Sequence, residues 1–261
     1  MTDPTIILIA DYGVGDPAFA EVMLQLKHFL PQANIIPQST PAFSTINTGF
    51  WMYQIAQTEN LAENTYIYSN TAPRKENREA QEKNRGEKLM YAKLEDGFEV
   101  IAVNAGYNFS FIKPHIKEFH YVNCANEGSQ FRSRDIFPEA VAHVIKKDPA
   151  FLGEKADLDL IPECPRHVIA SIDGYGNLKT TTRESNIHFT PGQSLIIQIH
   201  NQKHIATYTD GVFNIKEGEL AFAPGSSGHD DKFMEIFVRG GNAHRLFDQP
   251  HVEETFSLAT F

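Results

Sequence analysis

Three short polar segments carry the side chains of this chain that could bind or transform a small molecule. Residues 11–16 read DYGVGD, residues 131–137 read FRSRDIF, and residues 172–177 read IDGYGN. The first segment places Asp11 in a glycine turn after an apolar run, where a carboxylate can accept hydrogen bonds from both hydroxyls of a ribose. Together the three segments predict a polar site for a nucleoside-type molecule, divided between two domains.

The segment 172–177 has two interpretations. If it is extended, Asp173, Tyr175 and Asn177 lie on one face by period-two spacing. That face would offer a carboxylate to an ammonium group, a ring to a purine and an amide to a base edge. The same residues also fit a glycine-rich β-turn in which Asp173 and Asn177 satisfy the backbone. The sequence supports the two interpretations about equally.

Two other polar groups of the C-terminal half were considered as sites. Ser226 and Ser227 follow Pro-Gly in a predicted loop, and their hydroxyls and amides can hold a carboxylate, although a plain serine-rich turn fits equally well. His200 and His204 are four residues apart, but the runs around them alternate like strands, which favours a cross-strand pair over a zinc site. No metal site is therefore predicted.

Charge and composition exclude several classes of partner. The formal net charge of the 261-residue chain is −10, which argues against nucleic acid or an anionic membrane, because both need clustered lysine and arginine. Cys124 and Cys164 are too few for a disulfide framework and fit a reducing compartment. No apolar run approaches the length of a membrane span, and no basic leader is present. We therefore expect a cytoplasmic protein.

The N-terminal part has the pattern of alternating strands and helices. Residues 6–10 form a continuous apolar run, typical of a parallel strand buried on both faces, and residues 16–29 continue with helical periodicity. A second helix is predicted to begin at Asp135, as its cap, and to run to about Lys147. The remaining predicted elements are strands at 34–36, 65–68, 88–94 and 99–103 and a helix at 49–57.

The pattern changes after a linker predicted at residues 151–167. Short β-rich runs then alternate with Gly, Asn, Asp and Pro, which is typical of a small antiparallel barrel. These runs are 167–172, 194–200, 204–208, 219–223 and 234–238. The predicted fold class is therefore α/β, with an N-terminal Rossmann-like α/β domain over residues 1–150 and a small C-terminal antiparallel β-barrel domain over residues 168–261.

The order and spacing of these segments resemble the S-adenosylmethionine (SAM) hydroxide adenosyltransferases and the related SAM-dependent chlorinases and fluorinases. Residues 11–16 are similar to the family's TDFGxxD opening, residues 131–137 to its FHGRDIF segment, and residues 172–177 to its IDxFGN segment. Residues 226–243 are similar to its C-terminal SS…EIAVNGGNA pattern. The resemblance covers most of the chain.

This resemblance implies a homotrimer that binds SAM where the N-terminal domain of one subunit meets the C-terminal domain of the next. SAM is then the substrate or ligand, and no separate cofactor is implied. The implied substrate-binding residues are Asp11, Asp16, Phe43, Phe131, Asp173, Tyr175, Asn177, Ser226, Ser227, Arg239 and Ala243.

The resemblance also implies a role for several of these residues. Asp11 would bind the ribose hydroxyls. Asp16 and Asp173 would meet the ammonium group of the methionine part, and the serine pair would meet its carboxylate. Tyr175 and Asn177 would contact the adenine, close to the backbone of residues 239–243.

The residues that act on water in the hydrolase branch of the family are replaced here. That branch uses an Asp-Arg-His set. Ser69 stands at the place of the aspartate and Arg132 at the place of the histidine. The partner arginine has no assigned position, because residues 74–88 look like a charged insertion. Ser133 replaces a glycine and matches a serine in the halide pocket of the fluorinases. The catalytic candidates are therefore Ser133, Arg132 and Ser69.

Four functions remain open on the sequence. The first is a SAM-cleaving enzyme that gives adenosine and methionine by nucleophilic substitution at the 5′ carbon. The second is an inactive SAM- or adenosine-binding protein, the third a SAM-dependent halogenase, and the fourth a protein for an unrelated ligand. If the replaced residues slow hydrolysis, changing Ser69→Asp and Arg132→His should raise the rate, with Arg74, Arg78 or Arg85 as the arginine.

Overall fold

The computed structural model describes residues 3–73, 83, 85–211 and 214–260. The chain divides into two compact units, Met1–Glu163 and Cys164–Phe261. Among the described residues, each unit contains one seven-stranded sheet, and the helices belong mainly to the first unit. The chain is therefore α/β, as predicted.

The first unit alternates strands and helices. Its elements are β1 Thr5–Ala10, α1 Pro17–Phe29, β2 Asn34–Ser39, α2 Thr45–Ala56, β3 Thr65–Asn70, β4 Leu89–Leu94, β5 Glu99–Val103, β6 Ile116–Val122, α3 Arg132–Asp135, α4 Phe137–Ile145 and β7 Leu152–Lys155. The strand order is β2-β1-β3-β5-β4-β6-β7. Within this order, β2, β1, β3 and β5 run parallel to one another. The chain leaves β1 to form β2 on one side and returns to form β3 on the other, so the carboxyl ends of β1 and β3 flank a topological switch point.

The helices cover the two faces of this sheet. The buried residues of α1 and α4 form one hydrophobic cluster with Tyr66 and Tyr68 of β3. Helix α2 lies against the opposite face, where its Thr48 hydroxyl donates a hydrogen bond to the Thr71 hydroxyl at 3.0 Å. Both long helices have an N-cap side chain. Asp16 caps α1 by accepting a hydrogen bond from the Ala18 amide at 2.8 Å, and Ser44 caps α2.

Several predictions for this unit need correction. The helix predicted from Asp135 to Lys147 is wrong, because α3 ends at Asp135 and the chain turns at Ile136 before α4 begins. The Asp135 carboxylate caps no helix; it accepts from the Ser129 hydroxyl at 2.5 Å and from Arg134 Nε at 2.6 Å. Strand β6 was missed. Strand β7 lies within the segment predicted as a linker and pairs with β6.

The second unit is a curled sheet. Its elements are β8 Ile169–Ile172, β9 Leu178–Arg183, β10 Ser194–Ile199, β11 Gln202–Tyr208, β12 Leu220–Pro224, β13 Phe233–Val238, α5 Ala243–Leu246 and β14 Phe256–Thr260. The strand order is β14-β10-β11-β12-β13-β9-β8. All neighbours are antiparallel except β11 and β12, which departs from the predicted all-antiparallel sheet. A bridge between Val168 and Thr255 joins its two edges, so the sheet curls into a half-barrel.

Strands β9 and β14 were not predicted from the sequence. The core of this unit consists of side chains that point inward from the curled sheet. Side chains alternate between the two faces along a strand, and β10 is accordingly buried at every second position. No helix in the described part of the chain is long and apolar enough to cross a membrane.

Candidate functional site

Asp11 is the first residue after β1 and lies at the sheet edge where the carboxyl ends of β1 and β3 flank the switch point. Its Oδ2 accepts a hydrogen bond from the backbone amide of Phe43 at 2.8 Å. Phe43 has a φ of +63° and leaves its side chain 43% exposed. A left-handed conformation is uncommon and strained for a bulky residue. The loop after β2 is thus held at Asp11, and two of the predicted binding residues lie together.

Tyr12, the residue after Asp11, belongs to an aromatic cluster. The ring of Tyr12 meets Phe19 edge-on at 5.1 Å and Phe131 at 5.7 Å between centroids. The Arg134 guanidinium lies 4.8 Å from the centre of the Phe131 ring. The segments 11–16 and 131–137, which are far apart in sequence, are therefore in contact.

The hydroxyl of Tyr12 is buried and forms no hydrogen bond with the described residues. The Ser133 hydroxyl and the Asn70 side chain lie beside it and lower the pKa of the phenol, without making a hydrogen bond of good geometry. Burial and, to a smaller extent, the negative charge of Asp11 outweigh them, so the pKa of Tyr12 is raised well above its usual value. The phenol therefore stays neutral at physiological pH.

Ser133 is held next to β3 by Tyr68. It is only 3% exposed, and the Tyr68 hydroxyl donates to its backbone carbonyl at 3.3 Å. Tyr68 is fully buried, and burial raises its pKa well above the ordinary value. The structure therefore brings Ser133 to Tyr12 and Asp11. Tyr12 itself was not selected from the sequence, although its position as the aromatic residue of the DYGVGD segment was a signal.

Ser69 does not lie with Ser133. Successive residues of a strand point to opposite faces of the sheet, and Tyr68 points to the face that carries α3. Ser69 points to the other face, where it pairs in register with Ile9 and Ala102. Its hydroxyl is completely buried and forms no hydrogen bond with the described residues.

Arg132 contacts Glu87 and Asn126. Its Nη1 donates to the Glu87 carbonyl at 2.8 Å and to Asn126 Oδ1 at 2.7 Å, and its Nη2 lies 3.8 Å from the Glu87 carboxylate. A Cβ on Gly86 would collide with the Arg132 guanidinium. Arg132 thus clamps the segments 86–87 and 126 together, and its donors are engaged there.

The arginine candidates for the missing hydrolase residue are only partly described. Arg85 is exposed and pairs with Glu127 at 3.2 Å. Arg74 and Arg78 lie outside the described residues.

The Asp16 carboxylate is exposed and caps α1, as stated above, so its oxygens already have one backbone partner.

The segment around Asp173 is a tight turn between β8 and β9, and the extended interpretation is wrong. Asp173 Oδ1 accepts from the amides of Tyr175 and Asn177 at 2.9 and 3.0 Å, and Oδ2 accepts from Asn177 Nδ2 at 3.0 Å. The Gly176 amide donates to the Asp173 carbonyl at 3.0 Å. The carboxylate therefore stabilises the turn and leaves Tyr175 80% exposed at its tip.

This turn packs on the start of α5. Gly176 has a φ of +82°, and a Cβ there would collide with the side chain of Asn242. The Gly176 carbonyl accepts from the His244 amide at 2.9 Å, and Ala243 between them is fully buried. The predicted neighbours Tyr175 and Ala243 therefore belong to one corner of the second unit.

The serine pair lies at a buried ion pair in the same unit. Glu235 is 6% exposed, and its Oε1 accepts from Lys179 Nζ at 2.5 Å and from the Ser226 amide at 3.3 Å. Ser227 is buried and Ser226 is exposed. Lys179 was missed because it lies in β9, a strand that the sequence did not reveal.

The Arg239 guanidinium donates to the Ile215 carbonyl, and so it holds the loop before β12.

The two histidines of the second unit are not a pair. His200 lies in the turn after β10 and approaches Glu254 at 3.1 Å. His204 lies in β11 opposite Ile197, with its ring edge-on to Phe247 at 5.0 Å. The predicted cross-strand pair is therefore wrong. In the described ranges, no group of three His, Cys, Asp or Glu side chains could hold a metal ion.

Comparisons with known proteins identify the fold. No family model matches the chain, and no curated protein matches it. An uncharacterized conserved protein from Thermotoga maritima has a TM-score of 0.75 at 16% identity, over 97% of this chain and 100% of that chain. A conserved hypothetical protein from Thermus thermophilus has a TM-score of 0.69 at 15% identity, over 99% of this chain and 100% of that chain. At these identities the likeness shows the fold alone.

Proposed function

We propose that the chain binds SAM through its adenosine part and displaces methionine from the 5′ carbon, giving adenosine. The observation that carries this proposal is the Asp11 carboxylate at the switch point of the first sheet, held by the Phe43 amide. Open α/β sheets bind their ligands at this position. A carboxylate there suits the two hydroxyls of a ribose, which are paired donors.

The contact between two family-like segments supports the same proposal. Residues 11–16 and 131–137 both resemble segments of the SAM-cleaving family, and Tyr12 and Phe131 join them ring to ring. Because the first segment holds Asp11 and the second holds Ser133, a ribose on Asp11 would have its 5′ carbon within one small polar region. By the resemblance, the Asp173 and Ser226 turns of a neighbouring subunit would hold the methionine part.

The reaction needs little acid–base chemistry. The oxygen of water attacks the 5′ carbon as the bond from that carbon to sulfur breaks, and the electron pair leaves with sulfur as neutral methionine. The proton of the attacking water passes to solvent. Because the substrate is a sulfonium and its leaving group is a neutral thioether, the protein must chiefly align the water with the breaking bond and strip part of the water's hydration.

The rate is expected to be low. The Tyr12 phenol has the neutral side chains of Ser133 and Asn70 beside it, and none of these three groups is a base at neutral pH. General base catalysis typically contributes about 10²–10⁴-fold, and that contribution is missing here. The same observation favours a second candidate, a SAM- or adenosine-binding protein without turnover. The serine shared with the fluorinases keeps a halogenase as a third.

Product analysis separates these candidates. Purified protein is incubated with SAM, with and without chloride or fluoride, and the nucleosides are resolved by chromatography. We expect slow formation of adenosine that does not depend on halide. A halogenated nucleoside would replace the hydrolase with a halogenase, and no product with retained adenosine binding would leave the binding protein. If calorimetry detects neither SAM nor adenosine binding, the proposed site is incorrect.

The proposal includes a homotrimer with shared sites. Asp11 and Asp173 lie in different units of the chain, and in the resembling family the corresponding segments meet between subunits. Light scattering should therefore give a mass three times that of the 29.4 kDa chain. A mass equal to that of one chain at micromolar concentration would contradict the shared site.

A further inference from the structure

We propose that Asn70, and not Ser69, is the residue of β3 that binds the attacking nucleophile, and that it does so together with Tyr12 and Ser133. This inference rests on the proposed function, because the nucleophile is the water that displaces methionine. It assigns the place of the hydrolase aspartate to a residue one position later than the resemblance to the family implies.

The alternation of side chains along β3 carries the assignment. Tyr68 and Asn70 point to the same face, and the Tyr68 hydroxyl reaches the Ser133 carbonyl on that face at 3.3 Å. Asn70 pairs in register with Ala10, the residue directly before Asp11. It therefore lies at the open end of the strand beside the ribose-binding carboxylate. Moving an assignment by one residue along a strand moves it to the other face of the sheet, which is where Ser69 lies.

An unsatisfied hydroxyl marks the position of the nucleophile. Tyr12 Oη is buried and has no hydrogen-bond partner among the described residues. Buried polar groups in native proteins are nearly always paired, with ordered water or a ligand where protein groups are missing. The Ser133 hydroxyl and the Asn70 side chain lie beside the phenol. These three groups provide donors and acceptors in one place, and a bound water needs two to four such partners.

Charge favours water over a halide at this point. The negative charge of Asp11 acts on Tyr12, and it would repel an anion bound beside the phenol. Water carries no charge and can donate to the Asn70 carbonyl oxygen while it accepts from a hydroxyl. Those bonds would leave one lone pair of the water directed away from β3, toward the 5′ carbon of a ribose on Asp11.

Single substitutions test the cluster. Asn70→Ala, Tyr12→Phe and Ser133→Ala should each lower kcat for adenosine formation by about 10-fold, the effect of one lost hydrogen bond to the reacting water. The Kd for adenosine, measured by calorimetry, should stay within about 2-fold, because the ribose contacts remain. Ser69→Ala tests the alternative assignment, in which Ser69 binds the water. If it lowers kcat more than Asn70→Ala does, the assignment is overturned.

A gain of function tests the position independently of the rate of the native protein. Asn70→Asp places a carboxylate base beside the water and should raise kcat by about 10²-fold or more. The rate of this variant should fall as the pH drops through the pKa of the new carboxylate, because its protonated form accepts no proton. The native rate should not change over the same range.

The outcomes distinguish this inference from the proposed function. If the native protein binds adenosine without turnover, the proposed reaction fails, but turnover by Asn70→Asp would still support the assignment. If the native protein turns over and Asn70→Ala matches it, the inference fails alone. An Asn70→Asp variant that binds adenosine and shows neither a faster rate nor a new pH dependence also overturns the inference.

Discussion

Replacing Asp11 by alanine should reduce the affinity for adenosine by at least about 100-fold. The proposed complex has two ribose hydroxyls donating to one carboxylate, and a hydrogen bond to a charged group contributes roughly 1.5–3 kcal/mol. The same substitution removes the acceptor of the Phe43 amide, so the loop after β2 also loses this anchor. Calorimetric titration with adenosine measures the effect directly.

Asp16→Ala is the matched control for this experiment. Asp16 belongs to the same turn and has the same charge, but its carboxylate is exposed and caps α1. Its loss should cost about 1 kcal/mol of stability, as for other helix caps. The affinity for adenosine should be kept, since adenosine lacks the ammonium group that Asp16 is proposed to meet. Equal weakening by the two substitutions would indicate a collapsed turn and would contradict a ribose contact at Asp11.

The sequence predicted the elements that have a strong local pattern. Strand β1 is a continuous apolar run, and α1 has a proline at its first position, an aspartate cap and a buried stripe at helical spacing. Strand β9 (LKTTTR) and strand β14 (FSLAT) have no such signal. They are strands because neighbouring strands pair with them, and propensity in strands depends strongly on that context.

The candidate site was predictable only in part: Asp11 and Ser133 were selected from the sequence, but Tyr12, Asn70 and the geometry of the site were not. Asp11 follows directly from a strand–turn pattern, and its position at the sheet edge needed only the parallel order of the strands. The faces of Ser69 and Asn70 were not predictable, because they depend on how the chain enters and leaves β3. The turn at Asp173 was equally undecided until Gly176 was found at positive φ with the Asp173 carboxylate bonded to the backbone.

Restoring the hydrolase residues at the positions that the family resemblance implies should destabilise the protein, and it should not accelerate the reaction. Ser69→Asp would place a carboxylate in a fully buried position between Ile9 and Ala102. A buried charge without a partner typically costs about 3–5 kcal/mol. For a protein of this size, about 1 kcal/mol corresponds to roughly 2–4 °C in Tm, so Tm should fall by about 10 °C.

Arg132→His should add to this loss. The guanidinium donates to Glu87 and Asn126 while it is only 14% exposed, and the shorter imidazole cannot reach both partners. Leaving a buried carbonyl and an amide oxygen unpaired costs about 1–3 kcal/mol for each group. Thermal unfolding followed by circular dichroism measures the single and double variants. Asn70→Asp is the matched control, because it adds the same charge one residue later at a partly exposed position and should change Tm much less. A Ser69→Asp, Arg132→His variant that unfolds at the native Tm and forms adenosine faster would show that Ser69 faces the same side of the sheet as Ser133.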